Sequence, residues 1–178
     1  MNAIRGLVSI DEKRSKKLIE DLSEFLRGSF DFENHNGLIA FEKELATLRA
    51  YVSIEQARFE NQIEMEYDIS NADNVLIPML IIQPLVENAI RHGLKNRDRI
   101  KITLRVISDE KETIIEVRDN GIGILPDKLD KILNNFEKKS GVGLRNINQR
   151  LLLTYGKGRY VKKRILQAHY GHTSNKRR

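Results

Sequence analysis

Gln83-Pro84-Leu85-Val86-Glu87-Asn88-Ala89-Ile90-Arg91-His92-Gly93 is the stretch whose reading decides the fold. Leu85, Val86, Ala89 and Ile90 recur at helical spacing, so the segment predicts a helix with one apolar stripe turned to a core. Glu87, Asn88, Arg91 and His92 share that helix. Asn88 stands at the edge of the stripe, where a buried neutral amide needs a partner. A metal ion or a ligand is one such partner. Arg91, three residues on, lies on nearly the same face and suits phosphate. Gly93 is expected to stop the helix. Taken alone, the segment reads more simply as an ordinary core helix with a capped end.

Upstream, Val75-Leu76-Ile77-Pro78 leads into this helix, and Pro84 suits its first turn or kinks it. Ile63 to Ile69 alternates apolar and polar, which predicts a half-buried strand. Asn71 to Asn74 is a loop. Glu42 to Asn61 reads as a helix with Leu45, Leu48, Val52 and Phe59 inward. Leu38 to Phe41 is a short strand or lead-in segment, after a turn at Asn34-His35-Asn36-Gly37. Residues 2–30 read as helix, with Ile4, Leu7, Val8, Leu18, Leu22, Phe25 and Leu26 three and four apart. Ser9-Ile10-Asp11 is a break point, with Ser9 or Asp11 as cap. So thin a segment cannot bury both faces alone. It is expected to pack on a second copy of itself or on the next domain, the alternative being a solvated surface helix.

Downstream, Ile100, Ile102, Leu104 and Val106 alternate with Lys101, Thr103 and Arg105, giving a strand with one wet face. Asp109 to Glu112 is a hairpin turn and Thr113 to Val117 the returning strand. That strand runs into Asp119-x-Gly121-x-Gly123. Two glycines at a strand end let the backbone approach a flat ligand or adopt positive φ. The aspartate suits an exocyclic amino group and would select adenine over guanine, which presents a carbonyl there. By itself the pattern is usually a turn. A helix is expected after Pro126, with Leu129, Ile132 and Leu133 on one side, then a polar mobile loop over 134–143. Gly143-Leu144 opens a last helix to about Tyr155, ended by Gly156. Gly141 and Gly143 place free N–H groups at the positive end of that helix, an anion site suited to a triphosphate; a flexible helix start is the commoner meaning of such a pair.

Composition narrows the function classes. The chain has 178 residues and no cysteine, so it holds one domain or two small ones, without disulfides or thiolate metal sites. Histidine, asparagine and carboxylates leave hard-cation chemistry open. No apolar run approaches membrane-spanning length and no signal peptide opens the chain, which reads as cytoplasmic or as the soluble part of something larger. The net charge of +6 is concentrated in residues 157–178, which carry +8, while the other 156 residues sum to −2. A nucleic-acid role for the folded part is therefore not expected.

The order helix with Asn, hairpin, Asp-x-Gly-x-Gly, helix, Gly-x-Gly, helix is far more specific than any one piece. It resembles the asparagine box and two glycine boxes of the ATPase superfamily that joins gyrase, MutL, a heat-shock chaperone and histidine kinases. Within it, Gln83–Gly93 resembles the LytS/YehU-type sensor histidine kinases. The likeness continues in Leu22-Ser23-Glu24-Phe25-Leu26-Arg27, Phe41-Glu42-Lys43-Glu44-Leu45, Tyr51-Val52-Ser53-Ile54-Glu55 and Ala57-Arg58-Phe59, and covers residues 2–156. The resemblance implies an α+β fold, a two-layer α/β sandwich with helices over one face of a mixed sheet. Residues 1–60 would be a helical dimerisation segment, 61–156 the ATP-binding domain, and 157–178 a basic tail. It implies that Asn88 binds Mg²⁺ on ATP, that Arg91 contacts phosphate with His92 assisting, and that Asp119 binds the adenine amino group. Gly121 and Gly123 would line the base and a lid hinge, Gly141 and Gly143 the phosphates. The implied reaction moves the γ-phosphoryl group of ATP to a histidine, in a homodimer that serves a response regulator. A non-catalytic nucleotide-binding or interaction module that regulates a partner is the alternative.

Three departures qualify that picture. Hydrolytic members of the superfamily carry a glutamate one turn before the asparagine, where this chain has Pro84; transfer to a protein group is favoured over hydrolysis. The family's acceptor histidine, in a P-H-F-L-F-N motif, would lie just before Met1, and none of His35, His92, His169 or His172 has that context. This chain alone is therefore not expected to phosphorylate itself. After Gly156 the family continues with a strand pair, whereas this chain turns basic. The tail is expected to be disordered or foreign to the fold, with a loss of stability.

Overall fold

A computed structural model describes residues 11–33, 37–95, 97–109, 112–123 and 142–156. Its elements are α1 (Glu12–Glu33), β1 (Leu38–Ala40), α2 (Phe41–Arg58), a 3-10 turn (Glu60–Gln62), β2 (Ile63–Ser70), β3 (Leu76–Pro78), α3 (Gln83–Gly93), β4 (Ile100–Ser108), β5 (Thr113–Asp119) and α4 (Val142–Tyr155). The expected helix over 126–133, the loop through Gly141, the turn residues Asn34 to Asn36, the segment before Asp11 and the basic tail lie outside the described residues.

α1 and α2 form a helical hairpin. Asp11 caps α1, its Oδ1 accepting from the Arg14 N–H at 2.9 Å. Gly28 lets the helices approach: a Cβ there would stand 2.2 Å from Thr47 Oγ1. Asp21 is buried and accepts from the Ser53 hydroxyl at 2.5 Å, while Lys17 pairs with its other oxygen at 2.9 Å. The rings of Phe25 and Tyr51 meet at 5.9 Å.

β2, β4 and β5 make a mixed sheet in that order, with β2 parallel to β4 and β4 antiparallel to β5. The alternation in β4 sends Ile100, Ile102, Leu104 and Val106 into the core, all at most 1% exposed. The opposite face is wet, and Lys101 and Arg105 pair across to Glu64 at 3.2 Å and Asp68 at 3.0 Å. α3 lies on the inner face and buries Val86, Ala89 and Ile90. This is the α+β architecture of helices over one face of a mixed sheet.

Two expectations change. Val75 to Pro78 is more than a lead-in: Leu76–Pro78 is a strand, antiparallel to β1 with Ile39 opposite Ile77. A strand of three residues has too little alternation to show in a sequence. Gly93 does not end α3 as a left-handed cap. It is the last helical residue, and Leu94 follows in right-handed geometry. Its reason is proximity, since a Cβ would stand 1.7 Å from Ile100 Cδ1 on β4.

Candidate functional site

α3 is the element on which the site is built. Pro84 sits in its first turn, where a missing N–H costs no intrahelical bond. The buried stripe faces the sheet, which leaves Asn88 half-buried at its edge and Arg91 and His92 exposed. Arg91 Nη2 donates to Asn88 Oδ1 at 2.8 Å and stands 3.4 Å from His92 Nε2. Three of the four polar residues read on this helix, Asn88, Arg91 and His92, thus form one cluster.

β5 carries Asp119 to the same helix. Asp119 is half-buried, and its Oδ1 accepts from the Gly121 N–H at 2.8 Å, closing a tight turn. A Cβ on Gly121 would stand 2.6 Å from that oxygen and 3.9 Å from Gly93 Cα. The turn therefore rests against the last residue of α3. Gly123 adopts φ +73°, a conformation that favours glycine. At 1.5 Å of rise per residue, Asn88 lies about 7.5 Å along the helix from Gly93.

α4 packs on α3 and on β3, with Ile147 buried and Arg150 donating to the Met79 carbonyl at 2.8 Å. Gly143 is the second residue of α4. Gly141 lies outside the described residues. Gly156 ends α4 as expected, at φ +75°, its N–H on the Leu152 carbonyl at 2.9 Å.

A cleft of about 650 Å³ opens between α1, α2 and α3, lined by Phe25, Tyr51, Phe59, Gln83, Glu87 and Arg91 among others. Asn88 and Asp119 do not line it, so it meets the cluster described above only at Arg91. Glu87 lines this cleft as well.

Among the described residues no three His, Asp or Glu side chains gather to hold a metal by themselves. Asn88 supplies one hard amide oxygen. That suits magnesium, which keeps most of its water and arrives on phosphate oxygens rather than in an all-protein cage.

The sequence reading missed Glu44. It is 1% exposed, and its Oε1 accepts from the N–H groups of Ile81 at 2.9 Å and Ile82 at 2.6 Å, at the start of α3. Burial pushes its carboxyl up to about 7, against the lowering pull of the backbone N–H groups of Ile82, Gln83, Ile81 and Leu80. The signal was present: Phe41, Glu44 and Leu48 are three and four apart, which puts an acid inside an apolar stripe.

Residues 73–174 match the family described as histidine kinase-, DNA gyrase B-, and HSP90-like ATPases, and residues 1–63 match the histidine kinase family. The chain is 41% identical over 162 residues to the sensor protein LytS of Staphylococcus haemolyticus, covering 88% of this chain and 27% of that protein. It is 35% identical over 164 residues to the sensor histidine kinase YpdA of Escherichia coli, covering 92% of this chain and 29% of that protein. The protein YwpD of Bacillus subtilis is 40% identical over 155 residues, covering 85% of this chain and 55% of that one. The chain thus spans about half or less of the length of these relatives.

Proposed function

The chain belongs to the histidine kinase-, DNA gyrase B-, and HSP90-like ATPases and, among them, to the LytS type of sensor histidine kinase, and from that premise we propose that it binds magnesium ATP and transfers the γ-phosphoryl group to a histidine. The observation that carries the reading is convergence. Asn88 and Arg91, joined at 2.8 Å, and the Asp119–Gly121 turn, seated against Gly93, share one short helix. Magnesium, when bound, neutralises the phosphate oxygens. Asn88 Oδ1 would hold it, and Arg91, with His92 beside it, would leave the amide for phosphate. Asp119 accepts the adenine amino group through Oδ2, its Oδ1 being committed to Gly121. Gly121 and Gly123 border the base, and Gly141 and Gly143 the phosphates. Phosphoryl transfer of this kind rests on positioning and charge neutralisation.

Pro84 and Glu87 favour transfer over hydrolysis. The first turn of α3 carries no carboxylate of its own to activate water, and Glu87 lines a cleft that Asn88 does not line. We assign residues 1–60 to dimerisation, 61–156 to nucleotide binding and 157–178 to a separate basic tail. α1 exposes Ile19, Leu26 and Phe30, spaced seven and four apart, which suits a second copy of the chain. No helix among the described residues is long and apolar enough to cross a membrane. We place the chain in the cytoplasm, serving a response regulator.

The test is transfer in trans. Incubated with γ-labelled ATP, magnesium and a separate histidine-bearing segment of a related kinase, the chain is expected to label that segment. Steady phosphate release with no label on the acceptor contradicts transfer.

A further inference from the structure

We propose that Glu44 is a positioning residue for the nucleotide: reaching from α2, its carboxylate fixes the start of α3 and so sets where Asn88 and Arg91 meet the phosphates. The inference rests on the ATP reading above.

Ile82 precedes the first helical residue and has no side-chain cap of its own. The N-terminal N–H groups of a helix must find acceptors outside it. Glu44 Oε1 takes the N–H of the cap residue, Ile82, and that of Ile81 just before it. An anion here also meets the positive end of the helix dipole. The approach is strained as well: Leu80 adopts φ +54°, a left-handed conformation that a leucine keeps only when its surroundings enforce it. Glu44 holds this turn from α2, and Arg150 holds it from α4 through the Met79 carbonyl. α3 has only eleven residues, so a slip at its start carries Asn88 with it.

The carboxylate is a costly way to close a core. Its Oε2 is buried with no hydrogen-bond partner, and so is Gln83 Oε1 at the first helical position. Around it stand the backbone from Leu80 to Gln83 and, one turn away on α2, buried Phe41 and Leu48. No charged side chain of the described residues figures among the causes that raise its carboxyl. The α1–α2 hairpin is pinned to itself by Asp21, Ser53 and the Gly28–Thr47 contact. Glu44 therefore joins that hairpin to the helix bearing Asn88.

The experiment compares wild type with Glu44→Gln by calorimetric titration with magnesium ATP, from about pH 6 to about pH 8. Gln keeps the size and one acceptor but loses the charge. We expect E44Q to melt no lower than wild type at the upper pH, yet to bind about tenfold more weakly, on the order of one hydrogen bond to a charged group. The ratio of the two dissociation constants should approach one at the lower pH, where the wild-type carboxyl is itself protonated. The titration of ATP cancels in that ratio. A ratio of one at every pH, with wild type binding, overturns the inference. Should E44Q fail to fold, Glu44→Asp, which withdraws the charge by one methylene, is read for the same split: retained melting with lost affinity supports the role, and unchanged affinity overturns it. Failure of wild type itself to bind is a different result and removes the ATP reading underneath.

Discussion

Gly93 and Glu44 show how single residues carry this site. A methyl group on Gly93 would enter the space of Ile100 Cδ1, so Gly93→Ala must push α3 off β4 or the side chain off its rotamer. Overpacking of this kind costs about 1–3 kcal/mol. Urea denaturation of G93A should show that loss, and an Ile100→Val partner change should recover part of it. Glu44 gives stability a pH dependence whose sign is set. Its carboxyl, at about 7 in the fold against an ordinary 4.5, keeps a proton that the unfolded chain has released. Its contribution is therefore fully present below pH 4.5 and is lost as pH rises through 7, a span on the order of 3 kcal/mol. Melting of wild type across that window should fall relative to E44Q. Asn88, Arg91 and Asp119 could be singled out as candidates in the sequence because polar groups beside apolar stripes and glycine pairs leave a local pattern. The spacing of Phe41, Glu44 and Leu48 marks Glu44 as buried, but its partners, backbone groups of Ile81 and Ile82, leave no pattern in the sequence.

Helices and strands were legible to the degree that they are long and periodic. α3, β4 and β5 fell where alternation or helical spacing put them, and α1 began at its Asp11 cap. β3 was read as a lead-in, since its three residues are a strand only by virtue of β1 alongside. The role of Gly93 was misread for a related reason: a glycine at a helix end has the same local signature whether it caps or makes room. The α1–α2 hairpin depends on a close approach that no periodicity shows, between Gly28 and Thr47. Gly28→Ala should loosen it by about 1–3 kcal/mol in thermal or urea unfolding, and Thr47→Ala in the same chain should restore much of that loss. Equal losses in the single and double variants would show that the contact is not what limits the approach.

At the scale of the whole molecule, the basic charge is concentrated in residues 157–178, and α1 exposes an apolar stripe. Ile19 is 51% and Leu26 43% exposed. If that stripe joins two copies, sedimentation of wild type gives a dimer and Ile19→Glu with Leu26→Glu gives a monomer that still melts cooperatively. The family and the fold were readable because three patterns in fixed order specify one nucleotide-binding arrangement, even though each is ordinary alone. The measurement that tests the account most directly is calorimetric titration of the chain with magnesium ATP, repeated for Asn88→Ala and Asp119→Asn. The account predicts saturable binding by wild type, weakened about tenfold to a hundredfold in each variant, as loss of a charged hydrogen bond or a metal ligand requires, with melting unchanged. Wild-type binding that survives both substitutions, or a folded wild type that binds no magnesium ATP, would contradict it.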